Sequence, residues 1–294
     1  MINCESYFLA SDIDSALKAL GEAQEPARIL AGGTDLLLDL QQGRHPPLHT
    51  LVDVTTIPEL NALELREGGL FIGAAVTHNV ITNSELVQSH AQALAEACGL
   101  IGGPQVRNVA TLGGNVAHAL PAADGTIALM ALDAQAEIAS LEGRRIILLE
   151  ELFIGPGQST LDVKNEILVG FQLASAQAGQ ASTFRRIMRP QGVAIAILNC
   201  AVWLQRKDDV IGEVRIAIGP SGPTPRRMRQ AEEVLTGKSP TGQILVEAHQ
   251  AILLEASFRT SRHRANKEYR EHMAGELLQE ALMASWIRAG GRDE

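Results

Sequence analysis

The stretch "TLGGNVAHALPAAD", residues 111–124, decides how this chain is read. Two glycines and an asparagine stand together between apolar residues, and a proline and an aspartate follow within ten positions. Glycine tolerates positive φ and lets another molecule reach the main chain. A second stretch of the same texture, "AGGTDLLLDL" at 31–40, lies far upstream. There the glycines end a short apolar strand, "ARILAGG", and open a helical pattern, "TDLLLDLQQG". "HTLVDVT" follows as another buried strand, so residues 27–55 predict a small parallel βαβ unit. Gly32-Gly33 then lies at the carboxyl end of the first strand, where α/β sheets place ligands.

Outward from these two stretches the chain divides. "DIDSALKAL" at 12–20 predicts an amphipathic helix with Ser11 as N-cap and Gly21 at its end. From about 58 the texture changes. "ALELREGGLFIGAAVT" reads as two short strands around Gly68-Gly69, and "NSELVQSHAQALAEACG" as one strong helix. The second glycine pair is expected in a polar loop after "QVRN", followed by the helix "DGTIALMALDA". "AEIASLEGRRIILLEEL" reads as a hairpin turning at Glu142-Gly143, and "NEILVGFQL" as a further strand. "SAQAGQAS" at 175–182 has the composition of a linker. Beyond it, "VAIAILNCAVWLQRKDDVIGEVRIAIG" predicts two long strands turning at 207–209. "TPRRMRQAEEVLTG" predicts a helix with Thr224 as cap, Pro225 at its first position and Gly237 past its end. Two helical stretches close the chain. The expected organisation is a two-part domain over 1–174, divided near 57, and a smaller α+β domain over 183–294.

Composition narrows the function. The chain has 294 residues with 25 basic against 34 acidic, a net charge of −9. Such a chain is not built to coat a polyanion, so no nucleic-acid partner is expected. Aromatic residues, at 3%, leave few platforms for stacking bases. Backbone amides still allow a local phosphate site without net positive charge. Cys4, Cys98 and Cys200 lie far apart with no C-x-x-C pairing, and read as reduced thiols of a cytoplasmic protein. "MINCESYFLA" lacks the pattern of a signal peptide, and no run of about 18 apolar residues predicts a membrane span. The G-x-G-x-x-G, Walker, H-E-x-x-H and G-x-S-x-G motifs are all absent from the sequence.

The two glycine pairs share a physical design. Exposed N–H groups beside a helix start favour phosphate. Each charge-assisted amide bond contributes on the order of 1.5–3 kcal/mol. Two such loops facing each other predict a clamp for a pyrophosphate. Asp124 has two readings: acceptor for a ribose or ribityl diol, or cap of the helix that follows. His118 lies near the second pair, and a lone histidine has no assigned chemistry.

The ordered blocks "AGGTDL", "IGAAVT", "GGPQVRNVATLGGN" and "PAADGTIALMALDA" resemble the FAD-binding subunit of the molybdenum hydroxylases. That family includes xanthine dehydrogenase, the medium subunit of carbon monoxide dehydrogenase, and nicotinate dehydrogenase. "NEILVGFQL", "FRRIMR", "IGEVRIAIGPSGPTPRR" and "NKEYREHM" extend the resemblance over effectively the whole chain. It implies an α+β fold: a two-part FAD-binding domain of the vanillyl-alcohol oxidase (PCMH) type, then a smaller α+β C-terminal domain. It implies that Ala31, Gly32, Gly33, Thr34 and Asp35, with Thr111, Gly113, Gly114 and Asn115, hold the FAD pyrophosphate. Asp124 maps to a sugar-hydroxyl partner and Leu168 to a position beside the flavin or adenine. Arg185, after Phe184, stands where the family has lysine. That change keeps the charge and alters donor geometry, and an inter-domain ion pair is its other reading.

The resemblance further implies an electron-transfer flavoprotein within a hetero-oligomer. An iron–sulfur subunit would deliver electrons from a molybdenum-cofactor subunit, and NAD, oxygen or a quinone would accept them. No acid–base catalyst or metal ligand is assigned on this chain. The alternatives are a self-sufficient flavin oxidase and a non-catalytic nucleotide-binding module of the same fold.

Overall fold

Three short strands and two helices begin the chain: β1 (Ser6–Leu9), α1 (Ile13–Glu22), β2 (Ala27–Leu30), α2 (Leu36–Gln41) and β3 (Thr50–Asp53). The structure, a computed structural model, describes residues 4–189 and 195–290. β2 and β3 pair in parallel, as the βαβ pattern requires, and β1 adds to the other side of β3. β1 has no alternating pattern to announce it, since all four of its residues are exposed. It is a strand because its backbone pairs with β3, and the Tyr7 hydroxyl donates to Asp53 at 2.6 Å. The cap of α1 is Asp12, one residue after the expected Ser11. Its carboxylate accepts the Ser15 N–H at 2.7 Å while the Ser15 hydroxyl accepts the Asp12 N–H at 3.2 Å, a reciprocal capping box. With both ends of that box closed, the helix starts at Ile13 and carries Gly21 inside its last turn.

The second layer runs β4 (Leu63–Arg66), β5 (Gly69–Gly73), α3 (His78–Asn83), α4 (Glu85–His90), α5 (Gln92–Leu100), α6 (Pro104–Arg107), α7 (Leu112–Ala117) and α8 (Asp124–Ala131). It continues through β6 (Gln135–Ser140), β7 (Gly143–Leu148), the small hairpin β8 (Phe153–Gly155) and β9 (Gln158–Ser159), and β10 (Ile167–Leu173). Five of these strands form an antiparallel sheet in the order β4-β5-β10-β6-β7. The single helix expected before residue 99 is two, because Ala91 leaves helical geometry (φ −144, ψ 51) between α4 and α5. The β6–β7 turn is Leu141-Glu142, and Gly143, at φ +140, already belongs to β7.

The last layer holds β11 (Gln180–Ile187), β12 (Leu198–Lys207), β13 (Val210–Gly219), α9 (Arg229–Leu235), α10 (Gly242–Glu255) and α11 (Lys267–Arg288). Its sheet is antiparallel in the order β11-β12-β13. β11 begins inside the stretch read as a linker, so Gln180 to Ser182 are strand. The strand expected from 193 begins at Leu198, and residues 193–194 of that expectation lie outside the described residues. The helix expected from Thr224 starts at Arg229, because Arg227 is drawn into a β-bridge with Ala217. Gly237 does follow its end, at φ +77.

One face of this last sheet packs on α9, α10 and α11 through Leu198, Val202, Ile216, Leu277 and Trp286. The other face packs on α5 and α8, whose opposite sides meet the five-stranded sheet. Every residue of α8 is buried, as befits a helix between two sheets. α5 and α8 therefore join the five-stranded sheet to the last sheet. Among the described residues no helix is long and apolar enough to cross a membrane.

Candidate functional site

The two glycine stretches, about eighty positions apart in sequence, touch in space. A Cβ on Gly32 would lie 2.0 Å from the Val109 carbonyl oxygen and 2.8 Å from the Ala110 Cα. Only glycine lets these two backbones meet. Gly33 takes φ +68, a conformation that favours glycine, and turns the chain from β2 toward α2. The Leu37 N–H donates to the Gly33 carbonyl at 2.9 Å, which starts α2. The N–H groups of Gly32, Gly33, Thr34 and Asp35 meet no acceptor among the described residues. Ala31 to Thr34 are half-buried and Asp35 is exposed. Backbone donors at such a place are left for solvent or a ligand.

The second stretch differs from its expected form. Gly113, Gly114 and Asn115 lie in the first turns of α7, not in a loop. Thr111 caps this helix, its hydroxyl accepting the Gly114 N–H at 3.1 Å. The Gly113 N–H donates to the Ala74 carbonyl at 2.8 Å, and a Cβ there would lie 2.6 Å from Ala74. Gly113 is thus required by packing against the chain just past β5. Gly114 is exposed, and a Cβ on it would approach only the Thr111 hydroxyl, at 3.1 Å. The Asn115 side chain turns inward, where its Oδ1 accepts the Thr126 N–H at 3.1 Å and ties α7 to α8. His118 is the C-cap of the same helix.

Residues 2–173 match the family of the FAD binding domain in molybdopterin dehydrogenase, and residues 182–285 that of the CO dehydrogenase flavoprotein C-terminal domain. The chain belongs to this FAD-binding family. It is 32% identical to the xanthine dehydrogenase FAD-binding subunit of Escherichia coli O157:H7, over 99% of both chains. It is 30% identical to the carbon monoxide dehydrogenase medium chain of Hydrogenophaga pseudoflava, covering 96% of this chain and 97% of that one. A solved chain of carbon monoxide dehydrogenase from that organism superposes with a TM-score of 0.92 at 29% identity, covering 98% of this chain and 99% of that one. The chain is accordingly an oxidoreductase flavoprotein component with FAD as its cofactor.

Within this flavoprotein the remaining site candidates separate. Asp124 is the first residue of α8 and makes no capping bond, so the cap reading fails. It is 6% exposed, pairs with Arg186 of β11, and accepts the Asn199 side-chain N–H at 2.6 Å from β12. Burial pushes its carboxyl upward, while the Arg186 charge and the Asn199 and Arg186 hydrogen bonds pull it down. Both carboxylate oxygens already have protein donors. Leu168 is buried in β10, beside an irregularity of pairing with β6, in the same core as Leu112 and Val116 of α7. Arg185 lies in an inter-domain network. Its Nη1 donates to the Phe184 carbonyl at 2.8 Å and reaches Glu96 of α5 at 3.4 Å, and Glu96 also pairs with Arg288 of α11. The ion-pair reading of Arg185 is the one its contacts match.

His78 was not singled out in the sequence. It opens α3, is 1% exposed, and its Nδ1 has no partner among the described residues. Its backbone N–H donates to the Ala110 carbonyl at 3.0 Å, and Thr77 bridges Thr111. Burial first, then the Arg107 charge, push its imidazole down to about 4. A single histidine between polar residues gives no signal in sequence. Arg186 carried one, since it stands in the block "FRRIMR".

Proposed function

We propose that this chain is the electron-relay subunit of a molybdenum hydroxylase. In this reading a molybdenum-cofactor subunit oxidises the substrate, iron–sulfur clusters on another subunit pass electrons to FAD here, and NAD or another acceptor removes them. The observation that carries it is the run of four amides at 32–35, free among the described residues and pressed against the backbone that leads into the second glycine stretch, in a chain of an FAD-binding family. Those amides fit the oxygens of a pyrophosphate, each such bond contributing on the order of 1.5–3 kcal/mol. Gly32, Gly33, Thr34 and Asp35 would supply the donors, with Ala31 leading into them at the end of β2. Thr111, Gly113, Gly114 and Asn115 would supply the opposing wall, with the bare Gly114 leaving room for close approach. FAD, when bound, supplies the reversible uptake and release of one or two electrons.

The chain's own residues then position and shield. Leu168 backs α7 from the core. Asp124, through Arg186 and Asn199, holds the start of α8 against the last sheet, and Asn115 couples α7 to that helix. A direct bond from Asp124 to a sugar hydroxyl would have to be shared with these donors. Arg185 with Glu96 keeps the two domains in register. The partner assignment rests on two supports. Relatives at 30–32% identity carry the names of a medium chain and an FAD-binding subunit. The three cysteines, moreover, are fewer than the four an iron–sulfur cluster takes. The cytoplasm is the compartment in which thiols such as Cys4 stay reduced.

The test is flavin reduction by the isolated chain. Purified alone and loaded with FAD, it is expected to show no flavin bleaching with a purine, an aldehyde or an N-heterocycle, and to gain it on mixing with the iron–sulfur and molybdenum subunits. Rapid reduction by such a substrate in this chain alone would overturn the relay and favour a self-sufficient oxidase. A colourless chain that takes up no FAD would favour a nucleotide-binding module.

A further inference from the structure

The connection between α10 and α11 contains "RTSRHRANK" at 259–267, with three arginines, a lysine, a histidine and no acidic residue, in a chain of net charge −9. Hydrogen bonds within the connection fold it back on itself. The Ser261 N–H donates to the Ala265 carbonyl at 2.9 Å, and the Arg264 N–H to the Ser261 carbonyl at 3.2 Å. The Lys267 N–H donates to the Thr260 hydroxyl at 3.0 Å, and Asn266 caps α11. Arg259 is exposed and Arg264 half-buried, and neither side chain has a hydrogen bond or an ion pair among the described residues.

Arg270, in the first turn of α11, is 2% exposed and is the largest fully buried side chain among the described residues. Its Nη1 donates to the Ile197 carbonyl at 2.5 Å, just before β12. Its Nε is buried with no partner, and no carboxylate pairs with it among the described residues. Arg259 and Arg264 stand near it. Burial first, then the charges of Arg264 and Arg259, push the Arg270 guanidinium below the ordinary arginine value, and burial and Arg259 do the same to Arg264. Each of the three thus lies within electrostatic reach of the other two. Arg189 joins them from β11's end, its Nη2 donating to the Arg264 carbonyl at 3.4 Å. The rest of the sequence offers no counter-charge: residues 1–3 and 190–194 contain no acid. Residues 291–294 follow the far end of α11, about 27 Å from Arg270 at the helical rise, farther than four residues can span. A buried charge with like charges around it is costly unless an anion joins it.

We propose that Arg259, Arg264 and Arg270 bind a phosphate group, either the free ion or a monoester of a small soluble compound. Charge decides between phosphate and carboxylate. A carboxylate offsets one of the three positive charges, whereas a phosphate monoester carries about −1.5 to −2 at neutral pH. Its oxygens also match the forked donors of guanidinium groups. Arg259 and Arg264 supply donors from the surface, and Arg270 supplies charge from beneath while its Nη1 stays on Ile197. The bound group offsets the repulsion among the three and fastens the α10–α11 connection to the start of β12. α11 and α8 pack on opposite faces of the last sheet, so this site is apart from the glycine stretches and stands independently of the flavin reading.

The test uses the whole chain as purified with its flavin, in a buffer free of phosphate. Sodium phosphate and glycerol 3-phosphate are titrated by calorimetry, and melting is followed in parallel, against sodium acetate and sodium chloride of equal ionic strength. Saturable binding of a phosphate compound is expected, with a rise in melting temperature that acetate and chloride do not give; the tighter of the two tells the free ion from the ester. Arg259→Gln and Arg264→Gln should each weaken binding at least tenfold with flavin content unchanged. In chloride alone each variant should melt no lower than the parent, because a like charge has been removed, and this separates loss of the site from misfolding. Arg145→Gln, a surface arginine paired with Glu166, should leave binding as it was. Absence of saturable binding by both phosphate compounds, equal binding of acetate, unchanged binding in the Arg259 and Arg264 variants, or a lower melting temperature of those variants in chloride would overturn the proposal.

Discussion

Gly32 and Gly113 each stand against a backbone wall, the first 2.0 Å from Val109 and the second 2.6 Å from Ala74 at the position of an added Cβ. Their neighbours Gly33 and Gly114 meet no backbone there; Gly33 is set by its φ of +68, and Gly114 approaches only a hydroxyl. In each pair, then, one glycine lets two chain segments touch. The pairs part in their amides. Those of 32–35 are free among the described residues, whereas those of Leu112, Gly113, Gly114 and Asn115 all have acceptors in the Val76 and Ala74 carbonyls and in Thr111. The first stretch is a source of hydrogen bonds and the second a smooth wall. A repeated dipeptide in sequence does not imply a repeated task.

The largest expected effect concerns what holds the wall in place. Asp124→Ala leaves the Arg186 charge buried without its partner, and should cost about 3–5 kcal/mol of stability. If Asp124 acts only as this strut, FAD affinity of the folded variant stays near that of the parent. If it also serves a sugar hydroxyl, affinity falls by a further 1–3 kcal/mol or so. Urea melts at saturating FAD, beside titration of the apoprotein with FAD, separate the two.

Gly32→Val comes next. Its side chain would press on backbone, which cannot rotate away, and the two stretches must part. A loss of about 3 kcal/mol is expected, together with the flavin. Denaturant melts and flavin absorbance check this, and a variant as stable and yellow as the parent would mean that the stretches need not touch.

His78 probes the strap that carries the second stretch. Its folded value, about 4, lies below the ordinary 6.5, so the unfolded chain binds the proton more readily between those values. Stability supplied by the neutral ring is present above pH 6.5 and is lost as pH falls through that window toward 4, by up to about 3 kcal/mol. His78→Phe should flatten the slope between these limits in melts taken across pH, and an unchanged slope would assign it to other groups.

Much of the architecture was legible because it rests on local pattern. The βαβ unit, the hairpin strands, the helix at 124 and the two long strands all follow from apolar periodicity and turn residues. The misses share a cause in tertiary contact. β1 exists through pairing with β3, α9 starts late because Arg227 bridges Ala217, and the long helix breaks at Ala91. The candidate site was legible as two glycine-rich places. Their mutual contact, the helical state of the second, and the occupation of Asp124 and Arg185 by the other domain depend on approaches between distant segments, which single-sequence spacing does not encode. His78 needed the fold itself, since nothing in its neighbours marks it as buried.

The most direct measurement is the flavin content of Gly114→Val. The position is exposed and has only the Thr111 hydroxyl near it, so stability should change by no more than about 1 kcal/mol. On the proposed reading, a branched side chain there would stand where the pyrophosphate approaches the wall. The account predicts a folded protein, with melting close to that of the parent, that has lost most of its FAD by absorbance. A folded variant with full flavin content would contradict the assignment of this wall to the cofactor.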